Sequence, residues 1–147
     1  MTIVGMAQNY PTSNNLHLLE PGGQFGTRHM NGKDHASARY IFTRLNVLTR
    51  YLFHEADDHV VEYLQEDGQS IEPRNYLPIL PLVLINGCTG IGTGWSTSIY
   101  PYKVEDVIYM LRERLEGREP QCTIGWEGYQ GTVEETAKGF MVRGHYE

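Results

Sequence analysis

The chain has 147 residues, the size of one ordinary domain, and its 40% apolar share suffices for a core and excludes a disordered polymer. No apolar run is long enough for a membrane-spanning helix, because the longest, Tyr76 to Ile85, is broken by Pro78 and Pro81; Met1-Thr2-Ile3-Val4-Gly5 lacks the marks of a signal peptide, and Cys88 and Cys122 have no paired spacing for a zinc site. The net charge of −6 argues against nucleic-acid binding only if it is averaged over the chain, since Pro21 to Arg50 holds Arg28, Lys33, Arg39, Arg44 and Arg50 against Asp34 alone, whereas Tyr51 to Leu80 is strongly acidic.

Taken in order, Thr2 to Asn9 is helix-compatible and runs straight into a turn signal, Tyr10 to Asn15, so the chain is expected to begin inside a longer helix. Gly22 to Ala36 is Gly-rich, polar and basic, and reads as a loop. Ser37 stands where an N-cap would, and Ile41, Leu45, Leu48 and Leu52 recur at helical spacing, which predicts a helix over 38–53. Val60 to Leu64 followed by Asp67-Gly68 suggests a short hairpin. Leu77 to Ile85 reads as extended and buried at its end, and Asn86 to Trp95 as a second glycine loop. Val104 to Glu116 predicts a helix with acids in its first turn, bases in its last, and Gly117 as its stop. Gly131 to Glu135 and Phe140 to Tyr146 suggest two strands.

The chemistry centres on Ser37-Ala38-Arg39-Tyr40-Ile41-Phe42-Thr43. A tyrosine hydroxyl, with an ordinary pKa of about 10, is a poor nucleophile at neutral pH unless something removes its proton or stabilises the developing charge. The adjacent guanidinium of Arg39 offers planar N–H donors matched to phosphate oxygens, and a helix start would add unpaired backbone N–H groups. Taken alone, an Arg-Tyr pair is most often structural, with the ring packed and its hydroxyl wet.

The pair does not stand alone. Gly23-Gln24-Phe25-Gly26-Thr27-Arg28, Gly32-Lys33-Asp34, Ala38 to Thr43, Tyr76 to Pro81, Leu84-Ile85-Asn86-Gly87 and Gly90-Ile91-Gly92-Thr93-Gly94-Trp95-Ser96 follow one another in an order that resembles the catalytic-tyrosine region of eukaryotic DNA topoisomerase II. Thr2 to Asn9 and Ser13-Asn14-Asn15 fit the upstream helix and turn of that family. The bacterial branch shares the general pattern, but its tyrosine is usually followed by Thr-Glu, where this chain has Ile41-Phe42-Thr43.

The resemblance implies that Tyr40 attacks a DNA phosphodiester to form a 5′-phosphotyrosyl link, and that Arg39 stabilises the transition state. It implies that Arg28 and Lys33 position phosphates and that Gln8 and Asn9 lie near the cleaved strand. Its glycine loop carries an isoleucine that wedges between bases, and Ile91 holds that place; Gly neighbours suit entry into the minor groove, whereas a lone Ile is more often buried. The loop departs from the family at Cys88 and Thr89. A dinucleotide-binding reading of the loop requires a third Gly where Trp95 stands.

The implied fold is α+β: the C-terminal part of a winged-helix domain over 1–57, then over 58–147 a strand-rich region that begins the tower domain. The sequence shows no ATP-binding segment and no Asp-x-Asp cluster, so Mg²⁺ and ATP, both used by the family, are expected outside this chain, and the chain alone is expected to be inactive. Double-stranded DNA, a homodimeric partner, no membrane and a nuclear location complete what the resemblance implies. The alternative is a non-catalytic DNA-binding module of the same fold.

Overall fold

Glycine and proline interrupt the apolar runs every few residues, so strands stay short and find a single neighbour each. The computed structural model describes residues 2–146, and among them every sheet is a two-stranded antiparallel ribbon. The order is helix α1 (Thr2–Ala7), strands β1 (Leu19–Gly22) and β2 (Phe42–Leu45), helix α2 (Val47–Leu52), strands β3 (Tyr63–Glu66) and β4 (Gln69–Pro73), helix α3 (Leu82–Asn86), strands β5 (Cys88–Gly92) and β6 (Trp95–Ile99), helix α4 (Val104–Leu115), and strands β7 (Thr132–Thr136) and β8 (Gly139–Arg143). The mixed α and β character matches the expectation.

Where local chemistry is unopposed, the elements fall close to their expected places. Asp67 and Gly68 both take positive φ, 49° and 78°, and turn β3 into β4 as an Asp-Gly pair can. Helix α4 ends before Gly117, whose φ is 77°. The two strands near the C-terminal end form the β7–β8 ribbon.

The helix expected over 38–53 is absent. Ala38–Tyr40 makes one 3-10 turn, Phe42–Leu45 is a strand, and a true helix begins only at Val47. Ser37 makes no side-chain cap, whereas Asn46 accepts a hydrogen bond from Leu48 N at 2.8 Å and caps α2. The reason is long-range pairing: β2 lies antiparallel to β1 in the register Pro21↔Thr43 and Glu20↔Arg44, and Thr43 Oγ1 donates to Glu20 O at 2.9 Å. Two further expectations change. The stretch ending at Ile85 closes in the short helix α3, and the glycine loop is a hairpin.

The core has two clusters. Val4, Ala7 and Phe25 are buried together with Leu19 and Ile41 packed on them; Leu16, Leu52, Ile85 and Val107 form the other. A seam of asparagines joins early and late segments. Asn15 Nδ2 lies 2.9 Å from each of the carbonyl oxygens of Ile85, Tyr102 and Gly125, one of its N–H groups being shared, and Asn15 Oδ1 accepts from Glu127 N. Asn86 accepts from Leu16 N and donates to Leu16 O.

Candidate active site

Ile41 anchors the site by packing on the Val4–Ala7–Phe25 cluster. The preceding 3-10 turn then carries Tyr40 outward, with 65% of the residue exposed. The Arg39 guanidinium carbon lies 4.8 Å from the centre of the Tyr40 ring, a cation–π contact that keeps the charge beside the phenol. Among the described residues neither side chain is tied elsewhere: Arg39 has no carboxylate partner and the Tyr40 hydroxyl has no hydrogen-bond partner. The helix N-terminus expected beneath them is not there, because a three-residue 3-10 turn aligns too few peptides. What charge stabilisation the chain offers at this point comes from side chains.

The loop over 23–36 folds back against the tyrosine segment. A Cβ placed on Gly23 would stand 3.1 Å from Ile41 Cγ2, and Ala36 N donates to Gln24 O at 2.9 Å. Asp34 braces the interior by accepting from Thr27 N at 2.8 Å and from Thr27 Oγ1 at 2.7 Å. The Thr27 backbone N–H, and after it the Thr27 hydroxyl, hold the Asp34 carboxyl below the ordinary carboxylate range. Arg28 and Lys33 sit exposed on this loop with no ion-pair partner among the described residues, in contrast to Arg44, which pairs with Glu20, and Arg50, which pairs with Asp58. His29 lies in a 3-10 turn over Arg28–Met30, and His35 Nδ1 lies 2.8 Å from Ala36 O.

Gln8 and Asn9 part company. Asn9 is exposed at the end of α1, but Gln8 turns inward, donating from Nε2 to Phe25 O at 2.8 Å and to Gly32 O at 3.2 Å. Ile91 stands apart from the tyrosine in sequence, near the tip of the β5–β6 ribbon, and is 90% exposed. The ribbon turns at Thr93-Gly94, with Gly94 at φ 77°, so no helix follows the glycines to receive a phosphate or dinucleotide. Trp95, 85% exposed, faces the other side of the same ribbon, across from Gly92; the sequence offers no role for it beyond its place in the resembling segment and its breaking of a nucleotide-binding motif. Asn15 and Asn86 are equally inconspicuous there, since nothing in an Asn between apolar stretches marks it as a bridge between distant segments.

A family model for the A subunits of DNA gyrase and topoisomerase IV matches residues 1–146. The chain belongs to this family of type II topoisomerases. It is 55% identical over 146 residues to a DNA topoisomerase 2 of Pisum sativum and 52% identical over 135 residues to that of Saccharomyces cerevisiae, covering 97% and 91% of this chain but 10% of either relative. A crystal structure of the Plasmodium falciparum topoisomerase II DNA-binding, cleavage and re-ligation domain superposes with a TM-score of 0.88 at 43% identity, over 96% of this chain and 20% of the other. The curated relatives are eukaryotic enzymes, in keeping with Ile41-Phe42-Thr43 after the tyrosine.

Proposed function

We propose that this chain supplies the nucleophile and the DNA-bending wedge of an ATP-dependent type II DNA topoisomerase that passes one duplex through another. The observation that carries the reading is the exposed Tyr40 with the Arg39 guanidinium on its ring, set in a family whose relatives are named DNA topoisomerase 2. Tyr40 Oη loses its proton and bonds to phosphorus; the 3′-oxygen of the neighbouring nucleotide leaves with the electron pair and is protonated. The 5′-phosphotyrosyl ester retains the bond energy, and the reverse attack reseals the strand. Arg39 donates to the non-bridging oxygens as charge builds there. Arg28 and Lys33 bind flanking phosphates, which position the duplex without reading its sequence. Asn9, exposed at the end of α1, lies near the cleaved strand. Ile91 enters the minor groove and unstacks a step, bending the DNA towards the nucleophile.

Residues 1–57 form part of a winged-helix domain in this reading, and 58–147 the region that leads into the tower. The described residues gather no group of three or more His, Cys, Asp or Glu side chains able to hold a metal ion, so the residues present do not fit a Mg²⁺ site. In this reading Mg²⁺ and ATP are bound by other parts of a homodimeric, nuclear enzyme, and the chain by itself is expected to leave DNA intact. No helix among the described residues is long and apolar enough to cross a membrane.

The test is Tyr40→Phe in the full-length protein, with covalent adducts trapped by denaturant. Adducts should vanish while most of the DNA affinity remains, because the ring and its cation are kept. Adducts that persist would assign the nucleophile elsewhere.

A further inference from the structure

We propose that Gln8 is a positioning residue: its carboxamide pins the 23–36 loop so that Arg28 and Lys33 are held out for the DNA backbone, and it does not itself touch DNA. The proposal rests on the function proposed above, in which those two cations meet phosphates.

The geometry is one of close fit. Gln8 Nε2 donates to Phe25 O at 2.8 Å and to Gly32 O at 3.2 Å, two carbonyls that flank Arg28 on either side of the loop. The acceptor end is fixed too, since Tyr10 Oη lies 3.4 Å from Gln8 Oε1. That contact and the two carbonyls orient the amide with its N–H₂ group inward, leaving no donor for a nucleic acid. The loop is built around this side chain. A Cβ on Gly32 would lie 2.3 Å from Gln8 Nε2 and 2.6 Å from Tyr10 Oη, and one on Gly26 would lie 2.6 Å from Gly32 Cα. Gly32 also has φ 73° and Gly26 φ 104°, so the backbone passes the carboxamide at a distance and in a conformation that only glycine accepts without strain. Val4 and Ala7 of α1 pack on Phe25 at the same place, so the helix holds the loop by packing and by hydrogen bonds together. Arg28 lies within the span from Phe25 to Gly32 that this pin closes, Lys33 directly follows it, and both are exposed.

Gln8→Met is the informative substitution: it keeps length and volume, adds no charge, and removes the donor. Duplex-DNA affinity of the full-length protein is measured by fluorescence anisotropy over a salt series, for Gln8→Met, for Arg28→Ala/Lys33→Ala, and for the three changes combined. Loss of two phosphate contacts lowers the slope of log K against log salt by about 1.8. The double alanine variant should show that drop, Gln8→Met should show part of it, and the triple variant should match the double. Hydrogen exchange of Gly32, Lys33 and Ala36 amides should quicken in Gln8→Met while α4 is unchanged, which separates loosening of the loop from unfolding. A weaker Gln8→Met complex with an unaltered salt slope, or an effect that adds in full to the double variant, would mean that Gln8 meets DNA directly and would overturn the proposal. A wild-type slope in Gln8→Met beside a lowered slope in the double variant would sink the proposal alone. An unaltered slope in the double variant would remove the phosphate reading beneath it.

Discussion

Asp34 shows how a single carboxylate can order a cationic loop without neutralising it. It accepts from Thr27 N and Thr27 Oγ1 and makes no ion pair with Arg28 or Lys33 among the described residues, so both cations stay exposed. Because those bonds depress the folded-state pKa, Asp34 contributes stability in full above the unfolded value of about 4 and loses it as pH falls through the lower folded value. The loop should therefore be indifferent to this group from neutral pH down to about pH 5 and open only in acid. An NMR titration of the Thr27 amide should show a midpoint below the ordinary carboxylate range, and Asp34→Asn should abolish the transition; a midpoint at or above that range would show that the brace does not favour the charged form. The Arg39–Tyr40 pair was legible because adjacency in sequence is adjacency in space. The inward turn of Gln8 was not, since polarity says that a side chain wants partners and not which side of the backbone supplies them.

Element by element, the local signals that held were those with no competitor. Asp67-Gly68 makes its turn and Gly117 stops its helix whatever else folds. The spacing of Ile41, Leu45, Leu48 and Leu52 satisfied a helical template, yet Leu45 is 59% exposed and Ile41 and Leu52 are claimed by different core clusters. The partner that wins this stretch for a strand, Leu19-Glu20-Pro21-Gly22, contains Pro and Gly and so does not advertise itself as a strand. The β5–β6 ribbon is the complementary case: glycines suggest a loop, and pairing from Cys88↔Ile99 to Gly92↔Trp95 makes it a rigid finger. In the proposed function the paired backbone of this finger is what lets Ile91 act as a wedge. Ile91→Ala should leave stability within about 0.5 kcal/mol, as an exposed side chain away from structural contacts does, while energy transfer between dyes at the ends of a bound duplex reports a straighter DNA. Ile85→Ala, in the buried core, should instead cost about 2–5 kcal/mol in urea unfolding. An equal bend with and without the Ile91 side chain would leave it as mere surface.

Across the molecule, the four ribbons among the described residues each pair only internally, and the asparagine seam ties together the segments that lead into β1, β5 and α4. Asn15 lies five residues beyond Tyr10 in the turn after α1, and its carboxamide reaches the end of α3, the segment before α4 and the strand-free stretch at Gly125 and Glu127. Asn86, the last residue of α3, clasps both backbone groups of Leu16 two residues before β5 begins, so the base of the wedge is bonded to the chain that leads into the nucleophile's half. Under the proposed function the two sites act on one DNA, which requires that joint to be stiff. Asn15→Leu keeps similar volume but leaves three carbonyl oxygens and the Glu127 N–H without their partner in a place with little access to water. Each unpaired buried group costs about 1–3 kcal/mol, and partial hydration or sharing reduces the sum. Asn15→Leu should therefore lower stability by more than Asn86→Ala, because it removes four contacts of a buried carboxamide where Asn86→Ala removes two of a half-buried one. At a temperature where Asn86→Ala remains folded, it should retain DNA affinity through the basic loop yet lose bend and adduct formation together, because the finger's base is loosened while its tip is intact. Restoration of adducts on a nicked or pre-bent duplex would identify misaim as the defect. If Asn86→Ala bends DNA as the parent does but forms no adducts, the seam does not set the wedge, and the coupling between the two halves must run through the Leu16–Leu52–Ile85–Val107 core.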